Sequence, residues 1–156
     1  MIKQATADDW ELLREVRLRA LADSPEAFLD TIELASRLPE SHWRQRATPG
    51  DAQACFLSAE GAGMVSCFVA DDPETVFLVA MWVAPELRGT GAARDLVQRV
   101  VTWAREHGAA RVCLSVEPGN DRAARLYEKC GFAETFDPPP FPYELRADNR
   151  FYVFEL

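Results

Sequence analysis

The residues most able to do chemistry lie in two short stretches. The first is Arg88-Gly89-Thr90-Gly91-Ala92-Ala93, a glycine loop between an apolar run and a segment with helical periodicity. Backbone N–H groups at a helix start lack intrahelical partners and carry the positive end of the helix dipole, so they form an anion site. Glycine lets a phosphate approach that backbone closely, and Arg88 adds a fixed positive charge. The loop reads as a pyrophosphate cradle. The second stretch runs from Asn120 to Phe132. Asn120 suits an N-cap and Asp121 a first helical turn, while Ala123, Leu126, Tyr127 and Cys130 share one face. Gly131-Phe132 reads as a Schellman-type stop with its apolar follower. Taken alone, this second stretch is a short core helix with a buried tyrosine.

The cradle does not fit a Rossmann fingerprint, which needs Gly or Ala where Arg94 stands, and no Gly-Lys-Ser/Thr of a P-loop is present. Arg88-Gly89-Thr90-Gly91-Ala92-Ala93 instead resembles the Arg/Gln-x-x-Gly-x-Gly/Ala acyl-CoA motif of the GNAT superfamily of N-acetyltransferases. Asn120-Asp121-Arg122-Ala123-Ala124-Arg125-Leu126-Tyr127-Glu128-Lys129-Cys130-Gly131-Phe132 is similar to that family's other signature, Asn-x-x-Ala-x-x-Leu-Tyr-x-x-x-Gly-Phe, at the family's spacing. The specific motifs lie within residues 76–132; the layout of elements extends the resemblance along the whole chain.

The elements that must position these residues follow from periodicity and punctuation. Val76–Val83 (VFLVAMWV) is a nearly uninterrupted apolar run, expected as a central strand buried on both faces and ended by Pro85. Leu96, Val97, Val100, Val101 and Ala104 recur at helical spacing, predicting a helix from about Gly91 to His107 with Gly108 as its cap. Before the central strand, Met1–Ala5 reads as a strand. Thr6 and Asp9 open a helix marked by Trp10, Leu13, Val16 and Ala20 that ends near Leu21; its Arg14, Arg17 and Arg19 are assigned to a solvated face. Glu26–Ala47 reads as one or two irregular helices interrupted at Leu38-Pro39, with Trp43 packed inward. Cys55–Ala59 and Met64–Ala70 are strands of a hairpin turned by Glu60-Gly61-Ala62-Gly63. Ala110–Val116, Ala133–Phe136 and Arg150–Leu156 complete the strands. The four prolines in Asp137–Tyr143 exclude a helix or central strand there. The order β–α–α–β–β–β–α–β–α–β–β implies an α+β class, and the resemblance implies a GNAT-like acyl-CoA N-acyltransferase fold, a mixed central β-sheet flanked by helices.

The chain has 156 residues, 48% of them apolar, which suits a single domain over residues 1–156 with a proper core. No signal-peptide pattern or membrane-length apolar run is present, so no membrane association is expected. Cys55, Cys67, Cys113 and Cys130 have no metal-ligand spacing and read as reduced core residues of a cytoplasmic protein; no metal is expected. The formal charge of −8 argues against nucleic acid as a partner. It is compatible with a cationic amine substrate, and equally with plain solubility. The aromatic residues Phe151, Tyr152 and Phe154 of the last strand either pair two copies in a homodimer or fill the core.

The resemblance implies transfer of the acetyl group of acetyl-CoA, as cosubstrate, to a primary amine by direct attack in a ternary complex. Met81, Trp82 and Val83 are then expected to pair through their backbone with the pantetheine arm. An amide near Val83 would polarise the thioester carbonyl, a type of donor that contributes about 3–4 kcal/mol to a transition state. Arg88, Gly89, Thr90, Gly91, Ala92 and Ala93 would hold the pyrophosphate, and Asn120 would contact the pantetheine or its loop. Tyr127 matches the tyrosine that protonates the departing CoA thiolate. A phenol of pKa about 10 is a competent donor to a thiolate near about 8.5; the alternative is a hydroxyl that only orients the sulfur. The chain departs from the pattern at the base. The central strand contains no glutamate, and Ser115 stands where the ribosomal-protein N-terminal acetyltransferases carry one. Glu117 and Glu33 are candidates for a base acting through water. Phe28, Trp43, Ser115, Phe141 and Tyr143 are candidates for lining the acceptor site, with the proline segment either a rigid pocket wall or a passive connector. A small amine is the favoured acceptor. A protein N-terminus or lysine is the alternative within the same chemistry, and a non-catalytic acyl-CoA sensor the alternative outside it.

Overall fold

The computed structural model describes residues 1–28, 30–58, 60–145 and 148–156. Strands β1 (Ile2–Gln4), β2 (Gln53–Ser58), β3 (Gly63–Val69), β4 (Thr75–Val83), β5 (Arg111–Val116), β6 (Ala133–Thr135) and β7 (Arg150–Glu155) form one sheet. Its order is β1-β2-β3-β4-β5-β7-β6, and every adjacent pair is antiparallel except β4–β5. The helices are α1 (Trp10–Asp23), α2 (Ile32–Ala35), α3 (Glu40–Ala47), α4 (Ala92–Glu106) and α5 (Asp121–Lys129). The parallel β4–β5 pair needs a crossover, and α4 supplies it. No helix among the described residues is long and apolar enough to cross a membrane.

Strand alternation divides the core between the two faces of the sheet. On one face Ala54, Phe56, Val65, Cys67, Val76 and Leu78 meet α4 through Leu96, Val97, Val100 and Val101, with Ala124 and Tyr127 of α5 alongside. On the other face Cys55, Leu57 and Met64 meet α1 and α3 through Leu13, Val16, Ala20, Trp43 and Ala47. In β4 the alternation breaks. Met64 pairs with Trp82 but Ser66 with Val79, so β4 carries one extra residue, and Ala80 adopts φ 55°. Such a bulge shifts the phase of everything after it. Val76 and Leu78 face α4, and beyond the bulge Met81 and Val83 do, while Trp82 turns to the α1 face.

Local chemistry sets the helix ends that matter here. The side chain of Asn120 accepts from Ala123 N–H at 3.3 Å, the N-cap its sequence position predicts. At the other end of α5, Gly131 adopts φ 99°, Gly131 N–H reaches the Glu128 carbonyl and Phe132 N–H reaches the Tyr127 carbonyl, each at 3.0 Å. These two bonds are a Schellman stop.

Most expected elements are found within a few residues of their sequence boundaries. The helix expected to stop near Leu21 continues to Asp23. The strand expected at Cys55–Ala59 is found at Gln53–Ser58, Ala59 lying outside the described residues. Glu26–Ala47 resolves into a 3-10 turn at Pro25–Ala27 followed by α2 and α3, with Leu29 outside the described residues. The central strand is buried as expected over Thr75–Leu78, but Val79, Ala80 and Met81 are only half-buried, because a cleft opens beside them. All four cysteines are free and buried. β7 is paired on both sides, and its Tyr152 is buried while Phe151 and Phe154 are half-buried.

A Cβ added at Gly131 would come within 2.9 Å of the Phe154 ring at a left-handed backbone position. Gly131→Ala is expected to lower stability by about 1–3 kcal/mol, read as a lower urea midpoint with unchanged slope.

Candidate active site

β4 and β5 pair only from Thr75–Arg111 to Phe77–Cys113. Past Phe77 they part, while β5 stays paired with β7 along its whole length. The gap is a cleft of about 690 Å³ that reaches both faces of the sheet, since α4 and α5 line it on one side and α1 and α3 on the other. Leu78 to Val83 form one wall and Ser115, Val116 and Glu117 the other.

The glycine loop closes the α4 side. Arg88, Gly89, Gly91 and Ala93 line the cleft, whereas Thr90 and Ala92, both expected in the cradle, do not. The reason for Thr90 is local: its hydroxyl donates to the Leu87 carbonyl at 2.5 Å. Gly89 and Gly91 have φ 81° and 90°, and a Cβ added at either meets nothing within 4 Å. Neither glycine is there to relieve packing; both serve a left-handed loop and an open approach to the start of α4. Arg94 of α4 and Arg122, Arg125 and Lys129 of α5 add positive charge around this cradle. With Arg17, Arg46 and Arg88 the cleft gathers, among the described residues, seven cationic side chains against Asp30 and Glu117, in a chain of net charge −8. This charge concentration and open glycine backbone fit a polyanionic group such as CoA.

Arg88 is not left to find its position. Its Nη2 donates to Asp23 Oδ2 at 2.8 Å and its Nε to the Val83 carbonyl at 3.2 Å. The same Asp23 oxygen accepts from Trp82 Nε1 at 3.0 Å and from the Ser24 hydroxyl at 2.7 Å. The donors from Trp82, Ser24 and Arg88 hold the Asp23 carboxyl down at about 2, against an ordinary value near 3.8. The Trp82 bond depends on the β4 bulge, which turns the indole toward α1. Nothing in the sequence marked Asp23, which sits in the helix-breaking Asp23-Ser24-Pro25.

Tyr127 lines the cleft and is 6% exposed. Burial pushes its phenol above the ordinary value, with a smaller contribution from Cys130 in the same direction, so it holds its proton. Asn120, Ser115, Glu117, Met81, Trp82 and Val83 also line the cleft, as do Phe28 and Tyr143. Besides Thr90 and Ala92, three expected residues do not. Trp43 is fully buried between α1 and α3, so its inward packing excludes a substrate contact. Glu33 is exposed on α2, away from the lining. Phe141 packs on Phe77, Phe151 and Tyr143 with ring centroids at 4.6, 5.4 and 5.9 Å. It anchors the proline segment to the sheet, and Tyr143 and Leu145 form the wall.

Arg17 is a further correction. Its side chain does not lie on a solvated face: it is 7% exposed and lines the cleft, with its guanidinium 4.6 Å from the centre of the Phe28 ring. Its position between Val16 and Ala20, inside the apolar stripe of α1, was the signal for this. Arg46 stands in the same relation to Trp43 and Ala47 on α3. Arg122, Arg125 and Lys129 likewise share one face of α5 by their spacing.

The description "Acetyltransferase (GNAT) family" belongs to the family model that matches residues 15–132. An uncharacterised N-acetyltransferase of Mycobacterium bovis is 35% identical over 85 residues, 53% of this chain and 54% of that protein. A mycothiol acetyltransferase of Thermobispora bispora is 34% identical over 135 residues, covering 80% of this chain and 43% of that protein. The chain thus spans about half the length of the curated relatives it matches. A putative acetyltransferase of Salmonella typhimurium, solved with its cofactor acetyl-CoA, shares the fold with a TM-score of 0.73 at 21% identity, over 99% of this chain and 92% of that one.

The depressed Asp23 carboxyl gives a signed expectation. Its contribution is complete above the ordinary value and is lost as pH falls from about 4 toward about 2. Asp23→Asn should cost about 1–2 kcal/mol at pH 7, the lower part of the range for hydrogen bonds to a charged group because the carboxylate is partly in water. It should also flatten the acid limb of the stability curve below pH 4, as read by urea melts across pH.

Proposed function

The chain belongs to the GNAT acetyltransferase family, and on that premise we propose that it is an acyltransferase moving the acetyl group of acetyl-CoA to the primary amine of a small molecule. The observation that carries the reading is a buried, protonated Tyr127 and an open glycine cradle on one cleft. Acetyl-CoA supplies an acetyl group activated as a thioester. Everything else falls to the residues of the chain, acting as one domain.

Arg88, Gly89, Gly91 and the first N–H groups of α4 hold the pyrophosphate, with Asp23 fixing the guanidinium in place. Met81, Trp82 and Val83 offer the pantetheine arm a strand edge, since β4 lacks a β5 partner past Phe77. Asn120 is committed through its side chain to capping α5, so its role is to fix the start of the helix that carries Tyr127. Tyr127 donates its proton to the departing sulfur. Burial that raises a phenol also weakens it as an acid, yet it raises thiols by the same physics. Cys113 and Cys67 of this chain are pushed up to about 11 and about 12 by burial. Burial beside Tyr127 moves a departing thiol in the same direction as the phenol, while the cationic side chains of the cleft oppose that rise.

Of the two candidate bases, Glu117 lines the cleft and Glu33 does not. Glu117 is the residue able to draw a proton from the amine through water. Bringing two reactants together supplies about 7–11 kcal/mol at its upper end, so the proton transfer is the smaller part of the task. Tyr143 and Leu145 add a wall to the cleft, and this lining supports a small acceptor over a protein N-terminus or lysine.

The test is acetyl transfer to a panel of amines, read by product mass. Transfer to one class should fall about 10²–10⁴-fold in kcat in Tyr127→Phe, with acetyl-CoA affinity unchanged. A loss below tenfold would leave Tyr127 only an orienting role. Acetyl-CoA binding with no transfer to any amine would replace the enzyme by an acyl-CoA sensor.

A further inference from the structure

The α1–α3 side of the cleft has a charge arrangement that the chain itself does not complete. Arg17 is more than nine-tenths buried, and the donors on its Nε and Nη1 have no hydrogen-bond partner among the described residues. Its Nη2 reaches Asp30 Oδ2 only at 3.9 Å, too long for a hydrogen bond. Arg46 lines the same side of the cleft, over the Trp43 ring at 5.6 Å. The two guanidinium groups repel one another, and Asp30 is the carboxylate that bears on both. Burial and Arg46 together bring the Arg17 guanidinium down to about 10, which still leaves it charged at neutral pH. Among the described residues on this side of the cleft, two cations and one anion leave one positive charge over. A buried charge without a counter-charge, with open donors, is costly unless a ligand completes it.

We propose that the acceptor amine carries a carboxylate, bound by Arg17 and Arg46, so that the protein acetylates an amino acid or a similar small amino-carboxylate. This rests on the acetyl-transfer reading above and narrows its substrate. One surplus charge is balanced by one carboxylate, whereas a phosphate dianion would overshoot. The planar guanidinium fork with two open donors matches carboxylate geometry. Phe28, Phe68 and Leu145 give the body of the acceptor an apolar lining. Polyamines and aminoglycosides, which bring only positive charge, meet two arginines instead of a carboxylate pair. The acidity of the whole chain, compatible with a cationic amine when read from composition, does not extend into this site.

The test uses the full chain with acetyl-CoA and matched acceptors: phenylalanine against phenylalaninamide and phenylethylamine, lysine against cadaverine, with spermidine and an aminoglycoside as anion-free amines. A site built to pair with a carboxylate should favour each acid by about 100-fold or more in kcat/KM over its amide and its decarboxylated amine. Arg17→Met and Arg46→Gln should each raise KM for the acids by about tenfold or more, with a smaller change in kcat. Arg17→Met should also melt no lower than wild type without acceptor, because it removes an uncompensated buried charge. A structural arginine would do the reverse, and a lowered melting temperature with unchanged acceptor KM would overturn the proposal. Amides used as well as acids, or transfer only to anion-free amines, would overturn it while leaving acetyl transfer intact. If no amine is acetylated, the acetyl-transfer reading fails, and the anion site is decided by 3-phenylpropionate. A rise in melting temperature in wild type but not in Arg17→Met upholds the site; no rise overturns it.

Discussion

The structure depends on a parallel strand pair that stops after three residue pairs. β4 and β5 are joined at Thr75–Phe77 and then separate, while β7 keeps β5 in the sheet. Backbone polar groups that leave a sheet need other partners, and here they face a cleft. The extra residue at Ala80 acts at the same place. It reverses which face each later residue of β4 meets, so Trp82 turns toward α1 while Met81 and Val83 stay on the α4 side. The opening and the phase change together put strand, loop and both layers of helices around one space.

Electrostatics then divides that space from the rest of the molecule. The chain is acidic overall, yet seven cationic side chains among the described residues converge on the cleft. They are held there by different means: Arg88 by Asp23 and the Val83 carbonyl, Arg17 by the Phe28 ring, and Arg122, Arg125 and Lys129 by their common face on α5. A positive cleft in a negative surface draws anionic ligands in from solution and is sensitive to ionic strength.

The parts of this arrangement legible in the sequence are those with local causes. The glycine loop, the Asn120 cap, the Gly131-Phe132 stop and the periodicity of α4 are each set by neighbours in the chain, and each is found where it was expected. The bulge at Ala80 was not legible, because VFLVAMWV reads as an unbroken strand and the extra residue exists only relative to β3. Asp23 was not legible for a related reason: its partners, Trp82 and Arg88, lie about 60 residues away. Trp43 shows the opposite error. Its sequence position predicts an inward orientation, as found, but orientation does not say whether a core or a pocket lies inward. Arg17 is legible, since its place in an apolar stripe outweighs its charge as a sign of burial.

Helix α1 contains both Arg17 and Asp23, six residues or about 9 Å apart along its axis. One lines the cleft on its α1–α3 side and the other tethers Arg88 of the glycine loop, so on the proposed reading a single helix touches both the acceptor and the cosubstrate ends. Any displacement of α1 by binding at one end would carry to the other, and thermodynamic linkage would make that effect reciprocal. Whatever factor a bound acceptor applies to cosubstrate affinity, the cosubstrate applies equally to the acceptor. The order in which the two ligands arrive is then a kinetic matter, while any coupling between them is one quantity seen from either end of the helix.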